Sequence, residues 1–202
     1  MVDVTILVNE TEIKRRLGKL AYKSGSVISR AANRAATTGK VAISKETAKK
    51  YDISKSDLNS PRVFTLKKAT RGNPTARLTY SGNHRNLFLW NNKRAVTPGV
   101  QIHWTHGNPN VKHYKARVMK GHRRTPLTGS NAPFIQKTKN NGFVGLFRRK
   151  TESTYSRLVG VAAPAVPQIV KNEETLALFT QNAGEMFQKR LEHEISRALE
   201  GH

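Results

Sequence analysis

The chain contains no cysteine among its 202 residues. This absence excludes a disulfide framework, a cysteine-ligated zinc site and a thiol nucleophile. Aromatic residues are also scarce, at 7%, and apolar residues make up 37% of the chain, which is lean but sufficient for a hydrophobic core. No window approaches the ~18 uninterrupted apolar residues of a transmembrane helix, so no membrane partner is expected.

Acidic residues are missing from a long internal stretch. The 94 residues between Asp57 and Glu152 include no Asp or Glu but 19 Lys and Arg. The whole chain has 36 basic and 13 acidic residues and a net charge of +23, so this stretch carries most of the excess. A segment of one sign cannot neutralise itself, which predicts an anionic partner or a solvated surface. It also lacks carboxylates for acid–base chemistry or for hard metal ions.

Helical periodicity dominates the first quarter of the chain. Asn9 and Thr11 are candidate caps of a first helix, which Gly25 and Ser26 are expected to break. A longer, alanine-rich helix is predicted from Ser26 to Lys50, and its small side chains favour close packing. We interpret the cations on its opposite face as solvated; they are Arg30, Arg34, Lys40 and Lys45.

After Pro61 the period changes from helical to alternating. Strands are predicted over 2–8, 63–68, 76–81, 87–90, 100–104, 134–137, 143–148 and 155–162. Asn141-Gly142 favours a tight turn because both residues tolerate positive φ. The region 134–162 should therefore form a three-stranded meander. A last amphipathic helix is predicted to begin at Asn172 or Glu173.

The segment 106–131 is rich in Gly, Pro, Asn, Lys and Arg and has few large apolar residues. We interpret it as a long basic loop. Six of its cations are candidates for contact with DNA or with a protein partner: Lys112, Lys115, Arg117, Lys120, Arg123 and Arg124. Nucleic acid and an acidic protein neighbour fit this composition equally well. No helix-turn-helix, zinc-finger or RNA-binding strand motif indicates sequence-specific readout.

Motifs of catalysis and cofactor binding are absent from the sequence. It has no Gly-x-Ser-x-Gly elbow, no Gly-x-Gly-x-x-Gly fingerprint and no Gly-Lys-Ser/Thr phosphate loop. His103 and His106, with His113 and His122 nearby, suggest a metal site. Residues three apart on a strand point to opposite faces, however, and the surrounding positive charge opposes a cation. We therefore expect no enzyme activity, no metal and no cofactor.

The order of these features resembles the minor tail protein Z family of long-tailed bacteriophages and prophages. The strongest local similarity is Ala132-Pro133-Phe134-Ile135-Gln136, followed by the turn at 139–142 and a strand that ends in Phe147-Arg148-Arg149. The other similar segments are the alanine-rich 28–36 with 44–47, the short segment 53–58, the proline-containing 161–167 and the closing amphipathic helix. Together they cover nearly the whole chain.

The resemblance implies a virion structural protein at the head-proximal end of the tail, made in the bacterial host cytoplasm. Such a protein acts in tail completion and in head–tail joining, without catalysis or a cofactor. The implied partners are other tail and neck proteins, such as the tail terminator and the head–tail connector, and the DNA that passes the junction. Tail assemblies are ringlike, so a homo-oligomeric ring is expected. The alternative function is sequence-nonspecific nucleic-acid binding, and a hydrolase is a distant third.

The expected architecture is one α+β domain over 1–202. Long N-terminal helices and a C-terminal helix should pack on a mainly antiparallel β-sheet, with a long basic loop. The expected parts are a helical region 1–60, a β-rich region 61–163 that contains the loop 106–131, and a C-terminal helix within 164–202.

Overall fold

The computed structural model describes residues 1–5, 8–89, 113–153 and 155–200, and it gives the backbone of 96–98. The α-helices are α1 (Glu10–Leu17), α2 (Ser24–Lys50), α3 (Lys55–Leu58), α4 (Val166–Val170) and α5 (Glu173–Leu199), and two 3-10 helices span Gly18–Lys23 and Leu87–Leu89. The strands are β1 (Val2–Thr5), β2 (Phe64–Lys67), β3 (Arg77–Tyr80), β4 (Val96–Pro98), β5 (Tyr114–Ala116), β6 (Thr125–Leu127), β7 (Phe134–Lys137), β8 (Val144–Arg149) and β9 (Leu158–Gly160). The predicted α+β class is confirmed.

The chain divides into two compact units, each made of segments that are distant in sequence. Unit 1 comprises Met1–Thr47, Leu58–Gly82 and Val166–His202, and unit 2 comprises Ala48–Asp57 and Asn83–Ala165. These limits differ from the expected parts, because the C-terminal helix belongs with the N-terminal helices in unit 1. Whether the chain folds as the single domain we expected stays a prediction.

The strands form three separate antiparallel sheets in the described part of the chain, where the sequence suggested one. Their orders are β1-β3-β2 in unit 1, and β4-β5-β6 and β7-β8-β9 in unit 2. The meander over 134–162 is confirmed, with Phe134 opposite Phe147 and Phe147 opposite Gly160. The Asn141-Gly142 turn is confirmed too, since Gly142 has φ of 65°.

Two strand predictions have other outcomes. The predicted strand 87–90 is wrong for 87–89, because Leu87 and Phe88 are adjacent and both buried, and they lie in a 3-10 helix rather than alternating across a sheet. The predicted strand 100–104 lies outside the described residues.

The junction between α1 and α2 lies earlier than the sequence indicated. Asn9 caps α1, since its side-chain oxygen accepts a hydrogen bond from the backbone N–H of Glu12 at 3.3 Å. Gly18 ends the helix in a left-handed conformation with φ of 52°. The predicted break at Gly25 is wrong, because Gly25 lies inside α2. A β-carbon there would lie 2.3 Å from the carbonyl oxygen of Arg71, so glycine permits this close approach.

Small residues let α2 approach its neighbours in unit 1. Its buried alanines, fully inaccessible to solvent, are Ala31, Ala32, Ala35 and Ala36. Gly39 continues this side, and a β-carbon there would lie 2.2 Å from the Phe179 ring of α5. Gly184 of α5 differs, because a β-carbon at that position would meet no atom within 4 Å.

The two helical glycines should respond oppositely to alanine. Gly39→Ala should lower the free energy of unfolding by about 1–2 kcal/mol, since the clash with Phe179 outweighs the gain in helix propensity. Gly184→Ala should raise it by roughly 0.5–1 kcal/mol, because only the propensity changes. Urea unfolding of both variants measures this pair. Shifts in the same direction would contradict the described packing at Gly39.

Tyr80 of β3 is fully buried in unit 1, with its ring centroid 5.0 Å from that of Phe64. Burial raises its pKa to about 12, and the Ser44 hydroxyl opposes this rise more weakly. Because the unfolded chain ionises near pH 10, the stabilisation from neutral Tyr80 is complete below that pH. It is lost as the pH rises from about 10 to 12.

Tyr80→Phe should remove this alkaline sensitivity. Between pH 9 and a pH of about 11.5, the unfolding free energy of the natural chain should fall by about 2 kcal/mol more than that of the variant. Urea unfolding at the two pH values measures the change. Tyr155→Phe is the matched control, because Tyr155 is 98% exposed and should show no such difference. The prediction is wrong if the unfolding free energies of the natural chain and of Tyr80→Phe fall equally between the two pH values.

Candidate functional site

The described part of the basic segment, residues 113–131, contains two strands where the sequence suggested a loop. The interpretation as one long loop is wrong for Tyr114–Ala116 and Thr125–Leu127, which form β5 and β6. Tyr114 and Ala116 are buried while Lys115 between them is exposed, which is the alternation of a strand with one covered face. Because the alternation spans only three residues, the surrounding Gly, Pro and Lys concealed it in the sequence.

Residues 117–120 close the C-terminal end of α2 within unit 2. The Lys120 ammonium donates a hydrogen bond to the carbonyl oxygen of Ala48 at 2.5 Å. The backbone N–H of Lys120 donates to the carbonyl oxygen of Lys50 at 2.8 Å. The backbone N–H of Asp52 donates to the carbonyl oxygen of Val118 at 2.6 Å. The last carbonyl groups of a helix lack intrahelical donors, and a cation there also offsets the negative end of the helix dipole.

Arg117 also has a partner within the chain. Its Nε and Nη2 atoms lie 3.0 and 2.9 Å from Oδ2 of Asp52, a carboxylate that is almost fully buried. A buried carboxylate needs such a partner, because desolvation without one is costly. Arg117 and Lys120 therefore stabilise the fold of unit 2 directly.

The six candidate cations divide into three groups. Arg117 and Lys120 have the intramolecular contacts just described. Lys115 and Arg123 are exposed and Arg124 is half-buried. Lys112 lies outside the described residues. Contact of these side chains with DNA or a protein partner stays a prediction, and Lys115 and Arg123 suit it best because both are exposed.

A second cationic surface lies on the helices of unit 1. Its centre is Glu194 of α5, whose side chain is 1% exposed. Arg30 of α2 reaches Glu194 Oε2 at 3.2 Å, and Arg190 reaches Oε1 at 2.7 Å. Two guanidinium groups therefore surround one carboxylate, so an excess of positive charge remains.

Two surface depressions meet at Arg30. The first has a volume of about 290 Å³, and its floor includes Glu194, Val27 and Ala198. The second, of about 420 Å³, is lined by Arg30, Asn33, Arg34 and Arg190. We call the two together the Glu194 groove. Its cations are Lys23, Arg30, Arg34, Arg71, Arg190 and Arg197.

Local geometry brings these cations together. Arg30 and Arg34 are four residues apart on α2, and Arg190 and Arg197 are seven apart on α5, so each pair lies on one helix face. Arg71 reaches the groove because Gly25 admits its backbone against α2. Its guanidinium then donates a long hydrogen bond, at 3.5 Å, to the carbonyl oxygen of Tyr22.

The sequence pattern indicates that Arg30 and Arg34 lie on a solvated helix face, and both are exposed, but it does not indicate that Arg30 pairs with a carboxylate of α5. The missed signal was Glu194, which follows Phe187 and Leu191 at helical spacing and precedes Ala198, so it occupies the apolar stripe of the last helix. A carboxylate on a buried stripe requires cationic partners. That requirement could have directed attention to arginines on other helices.

The groove offers electrostatic binding, and its side chains form no arrangement typical of catalysis. Within the described ranges, no group of three or more His, Cys, Asp and Glu side chains could hold a metal ion; His103 and His106 lie outside those ranges. None of the helices described has the length and hydropathy to span a bilayer. Comparison of the chain with models of protein families, with curated proteins and with solved structures found no match.

Proposed function

We propose that the chain is a bacteriophage minor tail protein of the virion, which acts in tail completion and head–tail joining at the head-proximal end of the tail. Its partners in this proposal are the tail terminator, the head–tail connector, further copies of itself in a ring and the DNA at the junction. The protein is made in the host cytoplasm and has no enzymatic role.

The observation that carries the proposal is the resemblance in the order of sequence features. Several of the similar segments form identifiable elements of the fold. The alanine-rich segment 28–36 supplies buried residues of α2, and 132–149 includes the β7–β8 hairpin with its Asn141-Gly142 turn. Packing and turn geometry restrict which residues these segments can carry, so the resemblance in the order of the segments is the basis of the proposal.

The charge of the chain supports the same proposal. A net charge of +23 favours a partner of opposite sign, and a head–tail junction provides DNA and protein neighbours. The last two aspartates before the acid-free stretch have partners within it, since Asp52 pairs with Arg117, and Asp57 lies 3.9 Å from Arg85. Among the described cations of the stretch, Lys115 and Arg123 are exposed and can contact other molecules.

Particle biochemistry tests the proposal. The gene is deleted from the phage or prophage genome and restored in trans, and the particles are purified and imaged. The proposal expects the chain in purified complete particles, and loss of infectivity with defective tails or unjoined heads in the deletion. If complete particles lack the chain and the deletion leaves infectivity unchanged, the proposal is wrong.

The alternative function, sequence-nonspecific nucleic-acid binding outside a particle, is favoured by the exposed cations alone. It predicts that deletion leaves particle structure intact while the free protein binds duplex DNA with a strong salt dependence. A protein found only in assembled particles would contradict it.

A further inference from the structure

We propose that the Glu194 groove of unit 1 binds the phosphate groups of a nucleic-acid backbone. The sequence directed attention to the 106–131 segment of unit 2, whereas this groove is formed by α2, α5 and the residues around Arg71. The choice of ligand rests on the proposed function, which supplies DNA as a neighbour.

The charge balance of the groove favours a polyanion. Six cations and the single carboxylate of Glu194 line its two depressions, a net charge of +5. Arg30 donates one hydrogen bond to Glu194 and Arg190 forms an ion pair with it, but a guanidinium has five N–H donors. The groove offers Arg34 and Arg197 no carboxylate other than Glu194, which Arg30 and Arg190 already neutralise.

The identity of the cations favours phosphate. Five of the six are arginine, whose planar fork can donate two parallel hydrogen bonds to one phosphate. Six of the twelve residues that line the groove are cations, and the apolar ones are Tyr22, Val27 and Ala198, of which only Tyr22 is exposed. A protein interface normally centres on several apolar and aromatic residues with charged residues at its edge, so the density of cations here favours nucleic acid over an acidic protein.

The dimensions are compatible with a backbone that runs along the groove. Arg190 and Arg197 are seven residues apart on α5, a rise of about 10 Å. Duplex DNA presents one negative charge per ~1.7 Å of its axis, hence about six charges over that length. Tyr22 at the rim of the groove is 64% exposed, so its ring is available to stack on an unpaired base.

Fluorescence anisotropy of the full chain with a short labelled DNA duplex, over a series of potassium chloride concentrations, tests the inference. The groove variant is Arg34→Gln, Arg71→Gln and Arg197→Gln combined, which spares both partners of Glu194. The matched control removes the same charge from exposed residues elsewhere in unit 1: Lys19→Gln, Arg62→Gln and Arg77→Gln. A third variant, Lys115→Gln with Arg123→Gln, tests the unit 2 candidates. Circular dichroism establishes that each variant is folded.

The groove variant should bind at least ~10-fold more weakly at about 0.1 M salt, and its slope of log K against log[salt] should be shallower by about 2–3. The control should change the slope by less than half as much. A single-stranded oligonucleotide and polyglutamate are titrated in parallel. Equal losses in the groove and control variants, loss confined to the unit 2 variant, or binding of polyglutamate without DNA would overturn the inference. Particle assembly is measured separately. A chain that is present in particles but whose groove does not bind DNA would contradict this inference alone, whereas a chain that is absent from particles would contradict the proposed function.

Discussion

Replacing both Arg30 and Arg190 by glutamine should destabilise the protein by about 3–5 kcal/mol, the usual cost of leaving a buried charge without its partner. Glu194 is 1% exposed and would keep a carboxylate that water cannot reach. The reverse change, Glu194→Gln, should cost much less, because Arg30 and Arg190 are 58% and 38% exposed and water can solvate them. Urea unfolding of the two variants measures the asymmetry.

The triple variant with Glu194→Gln added to the arginine pair separates charge from packing. It should recover most of the loss, because the buried charge disappears with its partners. A surface ion pair between α1 and α5 provides the control. Arg16 of α1 lies 2.6 Å from Glu192 of α5, closer than Arg30 lies to Glu194, but Glu192 is 56% exposed where Glu194 is 1% exposed. Arg16→Gln should therefore leave the unfolding midpoint nearly unchanged. If Arg16→Gln lowers the unfolding free energy as much as the double variant does, then the distance between the charged groups, rather than the burial of the carboxylate, sets the contribution of an ion pair.

The helices and the meander were predictable because their signals are local. Periodicity over α2 and α5 and the Asn141-Gly142 turn each depend on residues within one short stretch. The helix break was misplaced because Gly18 and Gly25 look alike in sequence. Only their surroundings differ, since Gly18 needs a left-handed backbone and Gly25 needs space for Arg71.

The candidate sites were harder to predict because they depend on contacts between distant residues. Arg117 and Lys120 look identical in kind to Lys115 and Arg123, yet they bind Asp52 and the end of α2, about 65–72 positions away. The Glu194 groove joins α2 to α5 across 164 positions. Charge counting finds the excess of cations, and it cannot tell which cations the fold already uses.

Asn86 shows the same limit within the β7–β8–β9 sheet. Its side chain accepts a hydrogen bond from the backbone N–H of Leu146 and donates one to the carbonyl oxygen of the same residue, both at 2.8 Å. It thereby takes the place of a strand backbone beside β8. Val161 also donates its backbone N–H to the Leu146 carbonyl oxygen at 2.9 Å, but its own carbonyl oxygen accepts from Leu87 instead.

Two glycines lie against this side chain. A β-carbon at Gly145 would lie 2.6 Å from the Phe143 ring and 3.0 Å from Asn86 Nδ2, and one at Gly160 would lie 3.2 Å from Asn86 Nδ2. Glycine within a strand often marks the close approach of another group. Two glycines on neighbouring strands were therefore a signal in the sequence, although nothing in it identified Asn86 as the group that approaches.

Asn86→Ala should lower the free energy of unfolding by about 2–4 kcal/mol, because it removes the acceptor of a buried backbone N–H group. That group is the N–H of Leu146, a fully buried residue, and Phe88 also loses its 3.1 Å hydrogen bond to Asn86 Oδ1. The carbonyl oxygen of Leu146 keeps the N–H of Val161 as a donor, so the loss of stability comes from the N–H groups that Asn86 Oδ1 accepts from and not from this oxygen. Urea unfolding gives the energy, and hydrogen exchange at Leu146 gives its location, since exchange there should become much faster.

Asn182→Ala is the matched control for this change. The Asn182 amide donates only to the Leu178 carbonyl oxygen one turn earlier on α5, at 2.8 Å. Because alanine has the higher helix propensity, this variant should be neutral or slightly more stable. Asn86→Asp separates the two roles of the side chain, because aspartate still accepts but cannot donate and brings a negative charge beside the Leu146 carbonyl oxygen. It should be at least as destabilised as Asn86→Ala at neutral pH and should recover part of the loss when the carboxyl is protonated. An Asn86→Ala variant as stable as Asn182→Ala would contradict the prediction. It would mean that the N–H of Leu146 finds another acceptor and that the Asn86 side chain does not stabilise β8.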